Sequence, residues 1–342
     1  MTAFSRRAVL VGGAAGAIVA PFAHTLAATL PDRPCMSFVV NVHDTLHIDE
    51  SANTLLRVCK LLDAADVRGD FYLTAPMADA YAAQRTDVIA ALTRHTISYH
   101  IRAPHPLVPG FGRHFRDLDA TALATAIADA ERFAQDPLTG ELIRARVGGF
   151  ARVAEVFGRA PVTVGLPHPD PRIRAAACRH YASVGARVVV WYHESGTPVD
   201  HPWEWHEGLL ARPSDFSVTR WGPHDDFWWN RVGRKPEFDP AAHLQTELAR
   251  WSASRQPFVT SLIHENNFPR SGAESWTLRY YSDWKKSSPL PPPWSLSAAD
   301  PSKPRDPADR AAIWSAYERL IAYAAAHTRV ITSDDLPGLA AA

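Results

Sequence analysis

Strand-like and helix-like segments alternate along the first third of the chain, and this alternation limits the possible folds more than any other feature. The run 37–42 is short, apolar and rich in β-branched residues, which predicts a buried strand. Residues 51–65 then carry apolar side chains at helical spacing, and the pattern repeats with a strand at 70–74, a helix at 79–92 and a strand at 96–99. Three strands joined by helices within about 65 residues predict a parallel α/β sheet or barrel.

The same alternation continues towards the end of the chain. Its predicted elements are helices at 117–133 and 172–184, a strand at 187–191, a helix at 241–254, a strand at 258–263, a helix at 307–326 and a strand at 329–332. No repeat of fixed period accompanies them, so we predict a single domain that spans residues 36–335. The 342 residues of the chain, 46% of them hydrophobic, suffice for a substantial core.

Charge and cysteine content exclude two classes of protein. The formal net charge is zero, with 36 basic and 36 acidic residues scattered along the chain, so nucleic acid is not an expected partner. The three cysteines, Cys35, Cys59 and Cys178, stand at wide spacing and form neither a disulfide framework nor a zinc knuckle. We interpret Cys59 and Cys178 as small buried hydrophobic residues.

The first 28 residues have the pattern of an export signal. Arg6 and Arg7 form a twin-arginine start, a mildly apolar run follows over 11–20, and small residues at 27–28 would suit a peptidase. We predict a twin-arginine signal at 1–28, recognition by the twin-arginine export machinery, and a periplasmic or secreted protein with no stable membrane anchor after signal removal. The alternative is an apolar N-terminus without a targeting role.

Two long segments, 194–240 and 265–306, interrupt the alternation. Both are rich in proline, tryptophan and polar residues and exceed ordinary connection lengths, so they are candidate binding loops. Eight of the eleven tryptophans lie in them: Trp203, Trp205, Trp221, Trp228, Trp229, Trp276, Trp284 and Trp294. These rings either form small cores under the loops or line a binding site for a ligand such as a sugar, whose C–H faces pack on aromatic rings.

Histidine and aspartate side chains follow the predicted strands, at the edge where parallel α/β folds bind their ligands. His43 and Asp44 follow the first strand, His100 and His105 follow the third, and His264 ends the strand that begins at residue 258. Two imidazoles and one carboxylate with open positions suit a hydrolytic metal site, with Zn²⁺ the first choice. Such a metal activates water and polarises a carbonyl oxygen.

Four segments resemble the polysaccharide deacetylase family of carbohydrate esterases, in its nodulation-type domain. They are Val42-His43-Asp44, residues 61–72, His100 through His105-Pro106, and Leu262-Ile263-His264. The resemblance covers residues 36–335, with the tryptophan-rich loops as extra material. It implies a distorted (β/α) barrel with a metal-dependent site, usually containing zinc, that removes N- or O-acetyl groups from sugars.

The resemblance also implies roles for particular residues. Asp44 matches the family's aspartate ligand, His100 and His105 match its ligand histidines, and His264 matches its catalytic acid. The two loop histidines are five residues apart here and four apart in the family. His43 stands where the family has an aspartate as catalytic base, and an imidazole can also act as a base near neutral pH. Without the resemblance, Asp44 could equally be a carboxylate that stabilises a turn, and His264 could be a buried ring with a structural role.

Four further residues are weaker candidates for substrate contacts: Arg159, His168, His193 and Trp191. Arg159-Ala160-Pro161 is similar to the family's Arg-Pro-Pro-Tyr segment, which orients the base. His168 lies between two prolines, and His193 closely follows the strand that ends in Trp191.

Three functions follow from this sequence. The first is a metal-dependent hydrolase that removes acetyl or similar acyl groups from an N- or O-acylated polysaccharide or oligosaccharide. The second is a glycan-binding protein of the same fold that has lost catalysis. The third is a carboxylate-based glycosidase, for which Glu194 and Glu265 are candidate acids.

Overall fold

A mainly parallel β-sheet organises the chain in a computed structural model that describes residues 33–191, 204–213, 239–249 and 258–341. The predicted export signal at 1–28 lies outside these residues, and the domain span 36–335 also stays a prediction. Within the described ranges, no helix combines the length and the apolar character that crossing a bilayer requires.

The described residues form short strands and longer helices. The strands are β1 Cys35–Val42, β2 Asp70–Leu73, β3 Thr96–His100, β4 Phe133–Gln135, β5 Leu142–Val147, β6 Thr163–Leu166, β7 Val188–Trp191, β8 Glu204–His206, β9 Leu209–Pro213, β10 Phe258–His264, β11 Arg270–Gly272, β12 Ser302–Pro304 and β13 Arg329–Val330. The helices are α1 Ile48–Ala64, α2 Ala75–Gln84, α3 Thr86–Leu92, α4 Ala120–Arg132, α5 Gly149–Phe157, α6 Pro171–Ser183, α7 Pro240–Ala249, α8 Thr277–Tyr280, α9 Pro307–His327 and α10 Leu336–Ala341.

The main sheet follows the order β10-β1-β2-β3-β6-β7-β9-β8, and β13 pairs with β1. Neighbouring strands from β10 through β9 are parallel, and β8 pairs with β9 in an antiparallel hairpin. Two small antiparallel pairs, β4 with β5 and β11 with β12, lie outside this sheet. Because helices connect most of the parallel strands, the predicted α/β class is confirmed.

One small buried cluster shows that the sheet curls. Val39 of β1, Tyr72 of β2 and Val190 of β7 pack together, with Leu262 of β10 against them. In the sheet order β7 lies four places from β1, so these side chains meet only if the sheet bends round on itself. Interior side chains contributed by several strands are typical of (β/α) barrels, and the predicted distorted barrel agrees with this packing.

The opposite face of β1 packs under the helices. Phe38, Val40 and Val42 belong to the main core, and the ring of Phe38 meets Tyr317 of α9 edge to face at 6.1 Å between centroids. Both faces of β1 are therefore buried. This explains why its sequence is an almost continuous apolar run rather than a strict alternation.

Local chemistry accounts for two helix starts. The Asp170 side chain accepts the backbone N–H of Arg172 at 2.9 Å, and α6 begins at the next residue, Pro171. Asp306 caps α9 in the same way, ahead of Pro307. A capping carboxylate satisfies an orphan N–H of the first turn, and proline suits the first helical position.

The structure contains more elements than the sequence predicted, including helix α5 and the short elements β8, β9, β11, β12 and α8 within the two predicted loops. The helix predicted at 79–92 is two helices, α2 and α3, because Arg85 leaves the helical conformation with φ −138°. Strand β6, between β3 and β7 in the sheet, and the β4–β5 hairpin were not predicted. Their runs of three to six residues are too short to show a clear period.

Candidate functional site

Three histidines meet at the carboxyl edge of the sheet, as the strand order requires. His43 follows β1, His100 ends β3 and His264 ends β10, where it pairs in register with Asn41. The His43 ring centroid lies 5.6 Å from that of His100 and 5.1 Å from that of His264. All three rings are buried. The sequence prediction that this edge gathers the histidines agrees with this placement.

A cavity of about 380 Å³ opens beside two of these rings. His43, His100 and His105 line it, and Trp276 and Tyr280 contribute aromatic surface. Further lining residues are polar or charged: Thr45, Thr74, Asp79, Arg102, Gln135, Arg146 and Arg279. The cavity therefore combines aromatic surface with several hydrogen-bonding groups, as small-molecule sites do.

Trp276 fixes where the proton of His43 resides. Its Nε1 lies 3.1 Å from His43 Nδ1, and an indole nitrogen can only donate. His43 Nδ1 is therefore the acceptor, and a neutral ring carries its proton on Nε2. That atom lies 3.5 Å from Glu274 Oε1. Burial holds the pKa of His43 well below its ordinary value, so the ring is neutral and presents an N–H towards Glu274.

Glu274 is an ionised carboxylate held among cations. Lys286 pairs with its Oε2, and Arg102 Nη2 lies 3.9 Å from its Oε1. Burial raises the pKa of Glu274, but Lys286, His43 and Arg102 together outweigh burial and hold it well below its usual range. The single negative charge of Glu274 therefore faces two positive ones.

Asp44 has the contacts of a turn carboxylate. Its Oδ1 accepts the backbone N–H of Leu46 at 3.1 Å and the hydroxyl of Ser275 at 2.5 Å, while Oδ2 lies 3.2 Å from His47 Nδ1. Burial raises the pKa of Asp44, but the hydrogen bonds from His47 and Ser275 hold it below its ordinary value. These contacts lie just before α1, so Asp44 organises the start of that helix.

Glu265 holds the chain turn that aims His43 into the cavity. Its Oε1 accepts the backbone N–H groups of His43 at 2.7 Å and Asp44 at 2.6 Å. Since β1 ends at Val42, the strict alternation of a strand no longer applies to the two residues that follow. Burial, together with Asp44, raises the pKa of Glu265 to about 8. Glu265 thus supports the backbone and does not line the cavity, while Glu194, the other candidate glycosidase acid, lies outside the described residues.

His105 is tied to a buried carboxylate that the sequence did not suggest. Its Nδ1 accepts the backbone N–H of Leu107 at 3.1 Å, and its Nε2 lies 3.1 Å from Glu131 Oε1. Glu131, on α4, also accepts the Tyr181 hydroxyl and the backbone N–H of Phe150. Burial raises the pKa of Glu131, but His105 and these hydrogen bonds bring it below its ordinary value. His105 is therefore oriented by Glu131.

His43, His264 and Glu274 offer three possible ligand atoms within 4.8 Å of one another, the one such group among the described residues. A histidine that binds a metal normally donates its second ring N–H to the protein, whereas His43 accepts a hydrogen bond at that nitrogen from Trp276. A cation at Nε2 would require His43 to lose its remaining proton and would lie close to Lys286. In this arrangement the group does not fit a divalent cation.

The ligands predicted from sequence do not converge in this arrangement. Asp44, His100 and His105 form no such group within the described ranges, since Asp44 faces His47 and His105 faces Glu131. The assignment of these three residues as metal ligands, and of zinc as the metal, stays a prediction.

The weaker substrate-contact candidates lie in different places. Arg159 donates to the backbone carbonyl of His95, just before β3, so it is at the opposite end of that strand from His100, roughly 16 Å away at 3.3 Å per residue. His168 follows β6 at the correct edge, but it accepts the N–H of Asp170 and does not line the cavity. His193, and the side chain of Trp191 at the end of β7, lie outside what the structure describes.

Some described tryptophans of the long loops form a small core, as one interpretation of the sequence predicted, and one lines the cavity, as the other predicted. Trp276 and Trp294 are buried together with Tyr280 and Tyr281, which makes a small core under the 265–306 segment. Trp276 also lines the cavity, whereas Trp284 is 44% exposed. Of those in the first loop, Trp205 is exposed, and Trp203, Trp221, Trp228 and Trp229 fall outside the described ranges.

Sequence reasoning missed Glu131, Glu274, Arg102 and Arg279. Arg102 lies between the two loop histidines, so its proximity was a signal that the spacing argument did not use. Glu131 and the two residues of the 265–306 segment reach the site only through the tertiary fold, and nothing local in their sequence marks them.

Comparisons with known proteins give similarity at the level of solved structures. No family model matches the chain, and no curated protein sequence does so. The chain is similar to a candidate polysaccharide deacetylase from Mycobacterium smegmatis (15% identity, 87% of this chain and 86% of that one, TM-score 0.42) and to PuuE allantoinase (14%, 94% and 97%, TM-score 0.46). It is also similar to the peptidoglycan deacetylase PdaC from Bacillus subtilis (10%, 90% and 92%, TM-score 0.39). The first of the three carries the name of the family that the sequence motifs resemble.

Proposed function

We propose that this protein is a hydrolase that removes acyl groups from a saccharide bound in the cavity at the carboxyl edge of the sheet. The observation that carries the proposal is the pair of neutral imidazoles, His43 and His100, with ring centroids 5.6 Å apart beside this cavity. The deacetylase resemblance of the motifs that contain them gives the reaction class. The aromatic surface of Trp276 and Tyr280 suits the C–H face of a sugar ring.

His100 and His43 divide the proton transfers of such a reaction. Burial holds the pKa of His100 well below its ordinary value, so at neutral pH the ring can accept a proton from an attacking water. His43 presents its Nε2–H, which can donate to the carbonyl oxygen as negative charge develops there. The Arg102 guanidinium, on the wall of the same cavity, adds a fixed positive charge for that oxygen.

His264 and Glu274 then act on His43 rather than on substrate. Glu274, 3.5 Å from Nε2, favours the tautomer of His43 that carries its proton there. The ring of His264 packs against His43, and His264 Nε2 lies 3.2 Å from Asn41 Nδ2. The proton that His100 took from the water then passes to the leaving oxygen or nitrogen as its bond to the acyl carbon breaks, and His100 returns to its neutral state. The catalytic-acid role that the resemblance gives to His264 stays a prediction.

The metal-dependent form of the reaction is the finer prediction from the sequence resemblance. It would require Asp44 and His105 to release His47 and Glu131 and turn towards His100. Because the donor sets in the present arrangement do not fit a cation, the mechanism proposed here is derived from the side chains alone.

Acetate release tests the proposal. Protein purified without added metal is incubated with O-acetylated and N-acetylated oligosaccharides, beside His100→Ala, His43→Ala and the control His327→Ala on the exposed end of α9. We expect acetate release to fall at least about 100-fold in the first two variants and to stay unchanged in the control. Circular dichroism establishes that each variant is folded. Folded variants with undiminished activity would contradict the proposal.

Chelation decides between the two routes. Activity that survives EDTA supports the mechanism in which His100 and His43 carry out the reaction without a metal. Activity that EDTA abolishes and Zn²⁺ restores, together with stoichiometric metal in the purified protein, supports the metal-dependent reaction and contradicts our assignment of His100 as the base.

A glycan-binding protein without catalysis is the second candidate. The observation in its favour is that Asp44 and His105 are both engaged by other side chains, His47 and Glu131. Saccharide binding by calorimetry without acetate release from any acylated glycan would support this candidate over the first.

A further inference from the structure

Positive charge accumulates in the cavity beside the two imidazoles. Four charged residues line it: Asp79, Arg102, Arg146 and Arg279. The single carboxylate is already paired, since Asp79 Oδ1 lies 2.5 Å from Arg152 Nε and Oδ2 lies 3.6 Å from Arg146. Because the whole chain has a formal net charge of zero, this local excess is a property of the cavity and not of the composition.

Two of these arginines have hydrogen-bond donors without a partner among the described residues. The Nε atoms of Arg102 and Arg279 are buried and have no hydrogen-bond partner among the described residues. Arg279 forms no ion pair within the same residues, and the 3.9 Å contact of Arg102 is with Glu274, whose charge Lys286 already matches. Guanidinium donors removed from water without a partner cost free energy that a bound anion would recover.

The positions of these two arginines connect them to the reaction. Arg102 follows His100 by two residues, and Arg279 lies on α8, three residues after Trp276. An anionic group held between the cavity walls would therefore be carried by the same saccharide whose ring packs on Trp276 and whose acyl group meets the imidazoles.

We infer that the saccharide recognised by this cavity is acidic, and that its carboxylate or sulfate group pairs with Arg102 and Arg279. This inference rests on the proposed function for the position of the acyl group, but the recognition itself needs only binding. It narrows the substrate class from acylated saccharides in general to those with an anionic substituent close to the acylated sugar.

Binding measurements with saccharides that lack acyl groups test it. Calorimetry compares a uronic acid oligomer, a sulfated oligosaccharide and a neutral oligosaccharide of the same length, at about 50 mM and about 500 mM NaCl. We expect the acidic oligomers to bind roughly tenfold more tightly at low salt, with the preference shrinking at high salt. Tighter binding of the uronic acid identifies a carboxylate, and tighter binding of the sulfated oligosaccharide identifies a sulfate. Equal binding of all three would overturn the inference.

Substitutions of Arg279 test whether the anionic group binds at this arginine. Arg279→Gln should remove the preference for the acidic oligomer, Arg279→Lys should keep part of it, and Arg319→Gln, at an exposed arginine of α9, should leave it unchanged. Each variant is first shown to melt as wild type does. A folded Arg279→Gln that keeps the full preference would contradict the inference.

The two proposals can fail separately. A preference for acidic oligomers without acetate release would leave this inference standing and remove the proposed hydrolysis. If acidic and neutral acylated saccharides bind equally and release acetate equally, the proposed hydrolysis stands and this inference is overturned.

Discussion

Replacing Glu265 by glutamine and by alanine separates hydrogen bonding from charge at a carboxyl group with no exposed surface. Its Oε1 accepts two backbone N–H groups, those of His43 and Asp44, and the Ser51 hydroxyl lies 3.3 Å away. Burial and Asp44 raise its pKa to about 8, so the group is mostly protonated at pH 7. A glutamine amide offers the same acceptor and replaces the protonated oxygen with an NH₂ of similar size.

The expected magnitudes follow from those contacts. In Glu265→Ala two buried N–H groups lose their acceptor, at roughly 1–3 kcal/mol each, so at pH 5, close to the ordinary pKa of the group, the free energy of unfolding should fall by about 2–6 kcal/mol. Glu265→Gln should cost less than about 1 kcal/mol at pH 5, because both hydrogen bonds remain.

The pH dependence has a definite sign. Folded protein keeps the Glu265 proton up to a pH of about 8, whereas the unfolded chain releases it near the ordinary pKa of 4.5. Between these values the folded state binds more protons, so this group lowers the free energy of unfolding as pH rises, by about 1.4 kcal/mol per pH unit. Glu265→Gln lacks this contribution and should show a flatter profile.

Urea unfolding followed by tryptophan fluorescence at pH 5, 6, 7 and 8 measures these quantities. Glu131→Gln is the matched control. Both oxygens of Glu131 accept hydrogen bonds, from the Phe150 N–H and the Tyr181 hydroxyl, so the NH₂ of a glutamine would face one of these donors. We expect this variant to be destabilised by about 1–3 kcal/mol where Glu265→Gln is not. The reasoning fails if Glu265→Ala matches wild type at pH 5, if Glu265→Gln is as unstable as Glu265→Ala, or if wild type and Glu265→Gln have pH profiles of equal slope.

Two further predictions concern backbone packing and proton position. A Cβ on Gly112 would lie 2.0 Å from the Pro106 carbonyl oxygen, so Gly112→Ala should lower the melting temperature clearly, whereas Gly338→Ala, where the new methyl meets nothing within 4 Å, should leave it equal or slightly higher. Nitrogen-15 NMR should show the His43 proton on Nε2 in wild type and a mixture of tautomers in Trp276→Phe, which keeps the ring but loses the indole N–H; a wild-type proton on Nδ1 would contradict the geometry.

The sequence predicted the framework of the site better than its internal contacts. Strand–helix alternation gave the α/β class, and in parallel strands the carboxyl ends share one edge, so the meeting of His43, His100 and His264 could be anticipated. Spacing could not predict which protein group each side chain would face. The partners Glu131 and Glu274 come from a distant helix and a long loop, whose approach only the tertiary fold sets.

Two residues show how a local pattern can suggest the wrong neighbourhood. Arg159 begins a short motif similar to one of the deacetylases, yet it donates to a carbonyl at the amino end of β3, away from the cavity. Glu265 follows a strand as a catalytic acid would, yet its oxygen is taken by two backbone amides. The sequence pattern suggested a role in the reaction for both residues. In the structure each side chain instead makes hydrogen bonds to the backbone.

The pairing of β1 with β10 determines when the site can exist during synthesis. Asn41 and His264 contact each other although 223 residues separate them, and Trp276 and Glu274 follow still later in the chain. A ribosome must therefore translate most of the gene before His43 acquires the neighbours that fix its proton. Until then one edge of β1 has no strand beside it, and contacts of such large separation close slowly. Incomplete chains consequently carry His43 without the groups that orient it, and an unprotected strand edge is the point at which they would associate with one another.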